Sequence, residues 1–351
     1  MYDLFPKISQ ALNAFLRGFL PGWGADLAVI VLVVTALLLG LAALFMVQTW
    51  LERKVIGRIQ DRYGPNRVGP LGMLQPVADG IKMFTKEDVT PLRADRLAYN
   101  LGPILIIVPA MAVYAVIPFG RGMVGADVNI GVLYLVAISS LATIALLAAG
   151  WGSNNKYSLL GGLRAAAQIV SYEVPMVLSM LTAVMLAGSM SMVKIVEAQG
   201  GFLGLGWYVF FVPVGPIAFL IYFTCGVAEV NRAPFDIPEA ESEIVAGFHI
   251  EYSGMKFALF MMGEYIQAFA VSAIAVTLFL GGWQGPVLPP YVWFGLKTFS
   301  LWFVLMWLRG TLPRLRVDQL MAFAWKFLLP VSLANIFLTG IGISIVQILT
   351  K

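Results

Sequence analysis

Cysteine and histidine occur once each, as Cys225 and His249. The chain therefore cannot by itself supply four thiolates for an iron–sulfur cluster or paired imidazoles for haem. Any electrons that reach it come from a partner. A lone cysteine on an apolar stretch reads as packing. Charge is scarce too: Asp, Glu, Lys and Arg make up 12% of the 351 residues against 60% apolar, and the mean hydropathy is +0.85. That composition is far from the mix of soluble domains and calls for lipid as solvent. Ten-residue segments of alternating hydrophobicity are missing, which argues against a transmembrane β-barrel. With no Ser- or Gly-rich linker and no internal repeat, residues 1–351 read as a single integral membrane domain. The glycine-rich stretch Gly64-Pro65-Asn66-Arg67-Val68-Gly69-Pro70 lacks the Gly-Lys-Ser/Thr ending that grips phosphate and magnesium. Its Pro and Gly read as turns, and its Arg67 as a contact to lipid headgroups or an acidic partner.

What the chain does have is long apolar runs. The hydrocarbon layer is about 30 Å thick and takes about 20 apolar residues to cross as a helix. Eight runs qualify, near 26–50, 100–120, 129–150, 168–188, 207–228, 255–281, 290–308 and 327–349. The fold class is thus all-α, a polytopic transmembrane helical bundle of about eight spans with amphipathic surface helices. The net charge of +4 reflects orientation rather than nucleic-acid binding. With eight spans, 17 of the 23 Lys and Arg residues fall in one set of loops, and basic residues are retained on the cytoplasmic side. The reading is a multi-pass protein of the bacterial inner membrane with both termini facing away from the cytoplasm. Residues 8–20 show no long apolar signal core and read as an amphipathic surface helix. A second such helix is predicted at 71–85, where Leu74, Ala78, Ile81 and Phe84 recur at helical spacing. Function is expected in the two long polar cytoplasmic segments, 51–99 and 229–254.

Carboxylates stand where lipid disfavours them. Glu173 lies inside the fourth run, and Glu264 lies nine residues into the sixth. An ionised acid at the bilayer centre costs about 2.5 to 3.5 kcal/mol on insertion scales, so such groups are paired, hydrated or protonated. Burial disfavours the charged form of a carboxyl group, which would suit a proton relay. The structural alternative is an acid tied down by a Tyr or Ser hydroxyl. Pro175, two residues after Glu173, is expected to weaken the helix one turn earlier. Asp79 reads either as a local ion pair with Lys82 or as a carboxylate facing a polar cavity. The densest feature runs from Glu229 to Glu243. Asp236 is expected to cap a helix on which Glu239 and Glu243 share a face while Glu241 points elsewhere. Neighbouring acids resist simultaneous ionisation; a solvated acidic loop is the ordinary alternative.

These motifs resemble a known family. Glu52-Arg53-Lys54-Val55-Ile56-Gly57 with Gly64-Pro65-Asn66, Gln75 to Lys82, Ser171-Tyr172-Glu173-Val174-Pro175, and Glu229 to Glu243 followed by Glu251-Tyr252-Ser253-Gly254 are similar to the quinone-site membrane subunits of respiratory complex I, the family of H subunits in bacterial NADH-quinone oxidoreductases. The resemblance covers nearly the whole chain. It implies a chamber for an isoprenoid quinone, ubiquinone or menaquinone, with Arg53, Asp79, Arg232 and Glu241 along it. It implies an acidic path through Glu52, Asp79, Glu173, Glu229, Glu239, Glu241, Glu243, Glu251 and Glu264 that couples quinone reduction to proton translocation. It implies peripheral partner subunits carrying the terminal iron–sulfur cluster, docked on the cytoplasmic loops, and small and antiporter-like membrane partners. No metal, flavin or iron–sulfur cluster is expected in this chain, and no nucleic acid. Two rival readings are the membrane anchor of a related energy-converting hydrogenase and an independent secondary transporter. The latter would show internal symmetry and paired broken helices.

Overall fold

A computed structural model describes residues 4–19, 21–201 and 204–349, with side chains from residue 10 onward except those of Glu241 and Ser242. The described residues are mostly helical, and no strand forms among them beyond an isolated bridge between Gly120 and Met123. Seven helical stretches are long and apolar enough to cross a membrane, and an eighth, shorter apolar helix accompanies them. The chain is therefore a polytopic helical membrane bundle.

The helices follow the apolar runs. After α1 (Leu4–Leu16) comes α2 (Gly22–Ile59), whose 38 residues make roughly 57 Å of helix. That exceeds the hydrocarbon thickness of about 30 Å, so the charged last turns, from Glu52 to Arg58, can leave the apolar layer. A 3-10 turn (Pro70–Gly72) leads into α3 (Gln75–Thr85), which carries Pro76 in its first turn, where the missing N–H would have no partner anyway. Next is α4 (Arg96–Ala112), capped by Asp95, whose Oδ1 accepts from the backbone of Leu97 and Ala98. The third run divides into α5 (Gly131–Ser139) and α6 (Leu141–Gly152). At the break, the Ser139 and Ser140 hydroxyls donate to the carbonyls of Val136 and Ala137, the back-bonding that bends helices. In α7 (Lys156–Ala187), helical structure runs unbroken through Pro175 and ends on Gly188 in the left-handed region at φ 66°.

The fifth run departs most from expectation. Short α8 (Met192–Ala198) precedes it, and the run itself yields only α9 (Val214–Glu229), 16 residues or roughly 24 Å. Residues 208–210 form a 3-10 turn instead, and Pro213, lacking an N–H, stands immediately before the helix. After the four-residue α10 (Glu241–Ile244) come α11 (Gly254–Phe279) and α12 (Pro290–Thr311). The chain then continues from α13 (Val317–Phe323) through a π-helical turn into α14 (Leu329–Leu349). Helix α11 is central: its half from Ala268 to Phe279 is buried throughout, packed against α4, α9, α12 and α2.

Lys297, in the middle of α12, shows how a cation is kept inside the bundle. Its ammonium donates to the carbonyls of Leu280 at 2.6 Å, Gly282 at 3.1 Å and Gln284 at 2.6 Å, and lies 4.2 Å from the centre of the Trp207 ring. These carbonyls follow the C-terminal end of α11, where a positive charge is favoured.

Candidate functional site

The stretch from Glu229 to Tyr252 is folded down onto the helices rather than left in solvent. Gln168 of α7 holds its first half: the amide Nε2 donates to the carbonyls of Ala228 and Phe235, both at 2.8 Å, and to Asn231 Oδ1 at 3.2 Å. The second half is held by contact of backbone on backbone. A Cβ on Gly161 would lie 2.6 Å from the Cα of Gly247, so only glycine allows α7 and the loop to meet there. Beside it, Ser158 donates to the carbonyl of Phe248 at 2.8 Å. The Asp236-capped helix expected from sequence does not form. Asp236 instead accepts from Arg314 at 2.8 Å, and the one α-helix in this loop is α10, which starts at Glu241 without a side-chain cap. Phe235 and Ile237 are buried, and their burial draws the segment inward as turns.

Four helical or loop elements meet at a charged node. Arg232 is buried and donates from Nη1 to Glu52 Oε2 of α2 at 2.5 Å. Its Nε lies 3.1 Å from Glu264 Oε1 of α11, and its guanidinium sits 4.3 Å from the centre of the Tyr265 ring. Arg309 of α12 pairs with the other oxygen of Glu52. Burial opposes the charge on Arg232, but the Glu52 and Glu264 carboxylates outweigh it and hold the guanidinium protonated. A planar fork suits two carboxylates on different helices better than an ammonium does. One turn deeper on α2, Gln48 is buried with neither amide atom hydrogen-bonded to a described residue.

Beyond the node the acids border two small voids whose walls are otherwise mostly apolar. Glu264, Glu239, Asn231, Glu229 and Gln267 line a cavity of about 20 Å³, enough for one water. Glu229 and Gln267 also line a second cavity of about 30 Å³, reaching Ser139 at the α5–α6 break and Met176 and Met180 of α7. Glu229 thus stands in the wall between two water-sized spaces. Its hydrogen bond is with Gln267, at 3.1 Å. Glu173 is half-buried and has no ion-pair partner among the described residues.

Outside the spans, the protonation of the loop acids follows from burial. Glu239 is pushed well above the ordinary carboxylate range by burial and by the neighbouring Glu264 and Asp236 charges, against Arg309 and Arg232. Burial likewise raises Asp236, against Arg314 and Arg309. His249 Nδ1 lies 3.6 Å from Glu239 Oε1 and has no hydrogen bond to a described residue. Burial lowers its pKa to about 4, so the imidazole is neutral at pH 7 and the contact is not an ion pair.

A pH response follows. An unfolded histidine binds its proton near pH 6.5, so between there and about pH 4 the unfolded loop holds more protons than the folded one. The His249 contribution, up to about 3 kcal/mol, is present above the unfolded pKa and lost as pH falls. Glu239 acts in the opposite sense: with its carboxyl raised, its contribution is present at low pH and lost as pH rises through the folded value. Acidification from about pH 7 to 5 therefore sets the two groups against each other, and their balance is read from the protection of residues 244–252, that is, amide exchange relative to the intrinsic rate at each pH. His249→Gln removes the destabilising part, so protection in the variant should rise as pH falls, through Glu239 alone. An unchanged pH response in the variant would show that another group sets it.

The structure brings together Glu52, Arg232 and Glu264 directly, and Glu229, Glu239 and Glu264 around one cavity. It keeps other sequence candidates apart. Asp79 joins Arg53 at 2.6 Å and Lys82 at 3.7 Å, so the local pair with Lys82 is real but secondary. Partial burial pushes the Asp79 carboxyl up, and Arg53, Gln75 and Lys82 outweigh this and hold it below the ordinary range. Glu243 pairs with Arg164 at 2.5 Å, and Glu251 accepts from Asn155 at 2.7 Å beside an open cleft with Arg93 and Lys156. Glu239 and Glu243 therefore do not share a helix face. The side chain of Glu241 lies outside the described residues. Arg309, Tyr265, Gln267 and Gln168 were not singled out by sequence, and His249 was noted only as the sole histidine. Gln267 sits three residues after Glu264 on an apolar helix, a signal of the same kind that marked the acids.

Known proteins resemble the chain over most of its length. A family model described as NADH dehydrogenase matches residues 29–340. The chain is 56% identical over 296 residues to the H subunit of the NADH-quinone oxidoreductase of Dehalococcoides mccartyi strain CBDB1, covering 84% of this chain and 82% of that protein. It is 50% identical over 326 residues to H subunit 2 of the NADH-quinone oxidoreductase of Geobacter sulfurreducens, covering 90% and 95%. Against the corresponding H subunit of Geobacillus kaustophilus it is 53% identical over 313 residues, covering 87% and 92%.

Proposed function

The chain belongs to the NADH dehydrogenase family, with the H subunits of NADH-quinone oxidoreductases among its relatives, and from that premise we propose that it forms part of a quinone chamber and couples quinone reduction to proton movement through its buried acids. Reduction of a quinone to a quinol consumes two electrons and two protons. Partner subunits deliver the electrons. This chain shapes the chamber and conveys the resulting change of charge. The observation that carries the coupling is the position of Glu229 between two water-sized cavities, one of them shared with Glu239 and Glu264.

Chamber geometry has its own support. Leu74, Val77, Ile81 and Phe84 form an exposed apolar row along α3, a wall suited to an isoprenoid tail, while the Arg53–Asp79 pair offers polar partners for a headgroup. In this reading the segments 51–99 and 229–254 dock the peripheral arm, the termini face away from the cytoplasm, and antiporter-like subunits continue the acidic path. Relatives named as NADH-quinone oxidoreductase subunits favour this over a hydrogenase anchor or an independent transporter.

The test is Asp79→Asn in the assembled complex. Loss of the Arg53 ion pair should cut NADH-driven quinone reduction about tenfold, the effect of about 1.4 kcal/mol, while reduction of a water-soluble acceptor that bypasses the membrane stays unchanged. Equal loss of both activities, or of neither, would remove Asp79 from the chamber.

A further inference from the structure

A groove on the exposed outer side of the bundle goes beyond the quinone and proton chemistry. It lies where the last turns of α2 meet the end of α12, with Val55, Ile59, Phe303 and Trp307 as an apolar lining and Lys54 and Arg58 at its edge. Its volume is about 510 Å³, and Phe303 and Trp307 are 49% and 53% exposed. The helices close up at one end, where a Cβ on Gly310 would lie 3.1 Å from Ile59 Cδ1. We propose that this groove binds an anionic phospholipid, with one acyl chain along Val55, Ile59, Phe303 and Trp307 and the phosphate between Lys54 and Arg58.

Charge complementarity carries the choice of occupant. Lys54 and Arg58 are four residues apart on one helix, where like charges repel, and neither has an acidic partner among the described residues. They lie instead against aromatic rings: Lys54 Nζ is 6.0 Å from the Trp50 ring centre and Arg58 Cζ 5.6 Å from that of Tyr63. Arg53, Arg232 and Arg309, by contrast, are all committed to carboxylates. An anion between the two free cations relieves their repulsion, and the apolar channel beside them excludes a small hydrated anion in favour of one with a hydrocarbon tail. Depth agrees. The groove sits at the end of two long apolar helices, where a phospholipid passes from acyl chain to headgroup, and Trp307 has the amphipathic ring favoured at that level. A neutral quinone tail would fill the apolar part and leave both cations unanswered.

The test uses the whole complex, released from nanodiscs of equal phosphatidylglycerol and phosphatidylcholine, with retained lipid measured by mass spectrometry. The intact complex is expected to retain phosphatidylglycerol preferentially. One basic residue near an anionic surface contributes a factor of about five, so Lys54→Gln with Arg58→Gln should lower that preference about 25-fold. Val55→Trp, which fills the groove without changing charge, should lower total lipid retention there and serves if the double variant fails to assemble. Unchanged phosphatidylglycerol retention in either variant overturns the proposal. So does a cross-link from Phe303→Cys to another polypeptide, since a partner helix would then occupy the groove. None of these outcomes depends on quinone reduction or pumping, so failure here leaves the chamber reading untouched.

Discussion

Arg232→Met is expected to be the most damaging single change in the chain, abolishing stable incorporation into the complex or cutting its quinone reductase activity by well over tenfold. The guanidinium is buried and serves Glu52 and Glu264 at once. Methionine fills much of its volume but leaves Glu264 without its cation, and breaking a buried pair by removing one partner costs about 3 to 5 kcal/mol. Glu52 suffers less because Arg309 still holds its other oxygen. That asymmetry yields a sharper test. Glu264→Gln added to Arg232→Met should recover part of the loss, because the stranded charge is gone, whereas Glu52→Gln in the same background should recover less. Arg232→Lys should behave nearly as badly as methionine, since one ammonium cannot reach carboxylates on two helices with paired geometry. The melting temperature of the purified complex and its activity together report the coupling, which for groups in contact is about 0.5 to 3 kcal/mol.

Glu229→Gln is expected to uncouple rather than unfold. The amide has nearly the shape of the carboxyl group and can keep a hydrogen bond to Gln267, so assembly should stay at the level of the unmodified complex. What glutamine cannot do is take up or release a proton in the wall between the two cavities. Positioned proton transfer contributes about 10² to 10⁴ in rate, so coupled proton translocation should fall by at least about tenfold. Translocation at the unmodified rate would take Glu229 out of the route. Gln267→Leu provides the complement: it leaves Glu229 able to ionise but without its hydrogen-bond partner, and should give an intermediate effect.

Much of the fold was legible in sequence because membrane helices announce themselves by length and hydropathy alone. The runs at 100–120, 255–281 and 290–308 match α4 with its following 3-10 turn, α11 and α12 closely. Boundaries failed where local chemistry competes with the apolar pattern: at Pro213, which delays α9, and at Ser139 and Ser140, which divide α5 from α6. The candidate site was legible in part. Acids on apolar helices stand out from any composition, so Glu173 and Glu264 could be found one residue at a time, whereas Glu229 was visible only as the first of an acidic run. Their partners could not. Arg309 looked like one more positive charge in a loop, yet it closes the Glu52 node from a distant part of the chain. The Asp236 cap failed because Arg314, 78 residues away, captures the carboxylate, and local sequence carries no sign of that pairing.

Glu229 and its neighbours are expected to change protonation when the quinone is reduced. Infrared difference spectra of the complex, recorded between oxidised and reduced quinone pools, read this directly. A protonated-carboxyl stretching band should appear or vanish on reduction, and should be missing from the same spectrum of Glu229→Gln. A spectrum without any such band, or one whose carboxyl bands persist unchanged in Glu229→Gln, Glu239→Gln and Glu264→Gln alike, would reduce these acids to scaffolding.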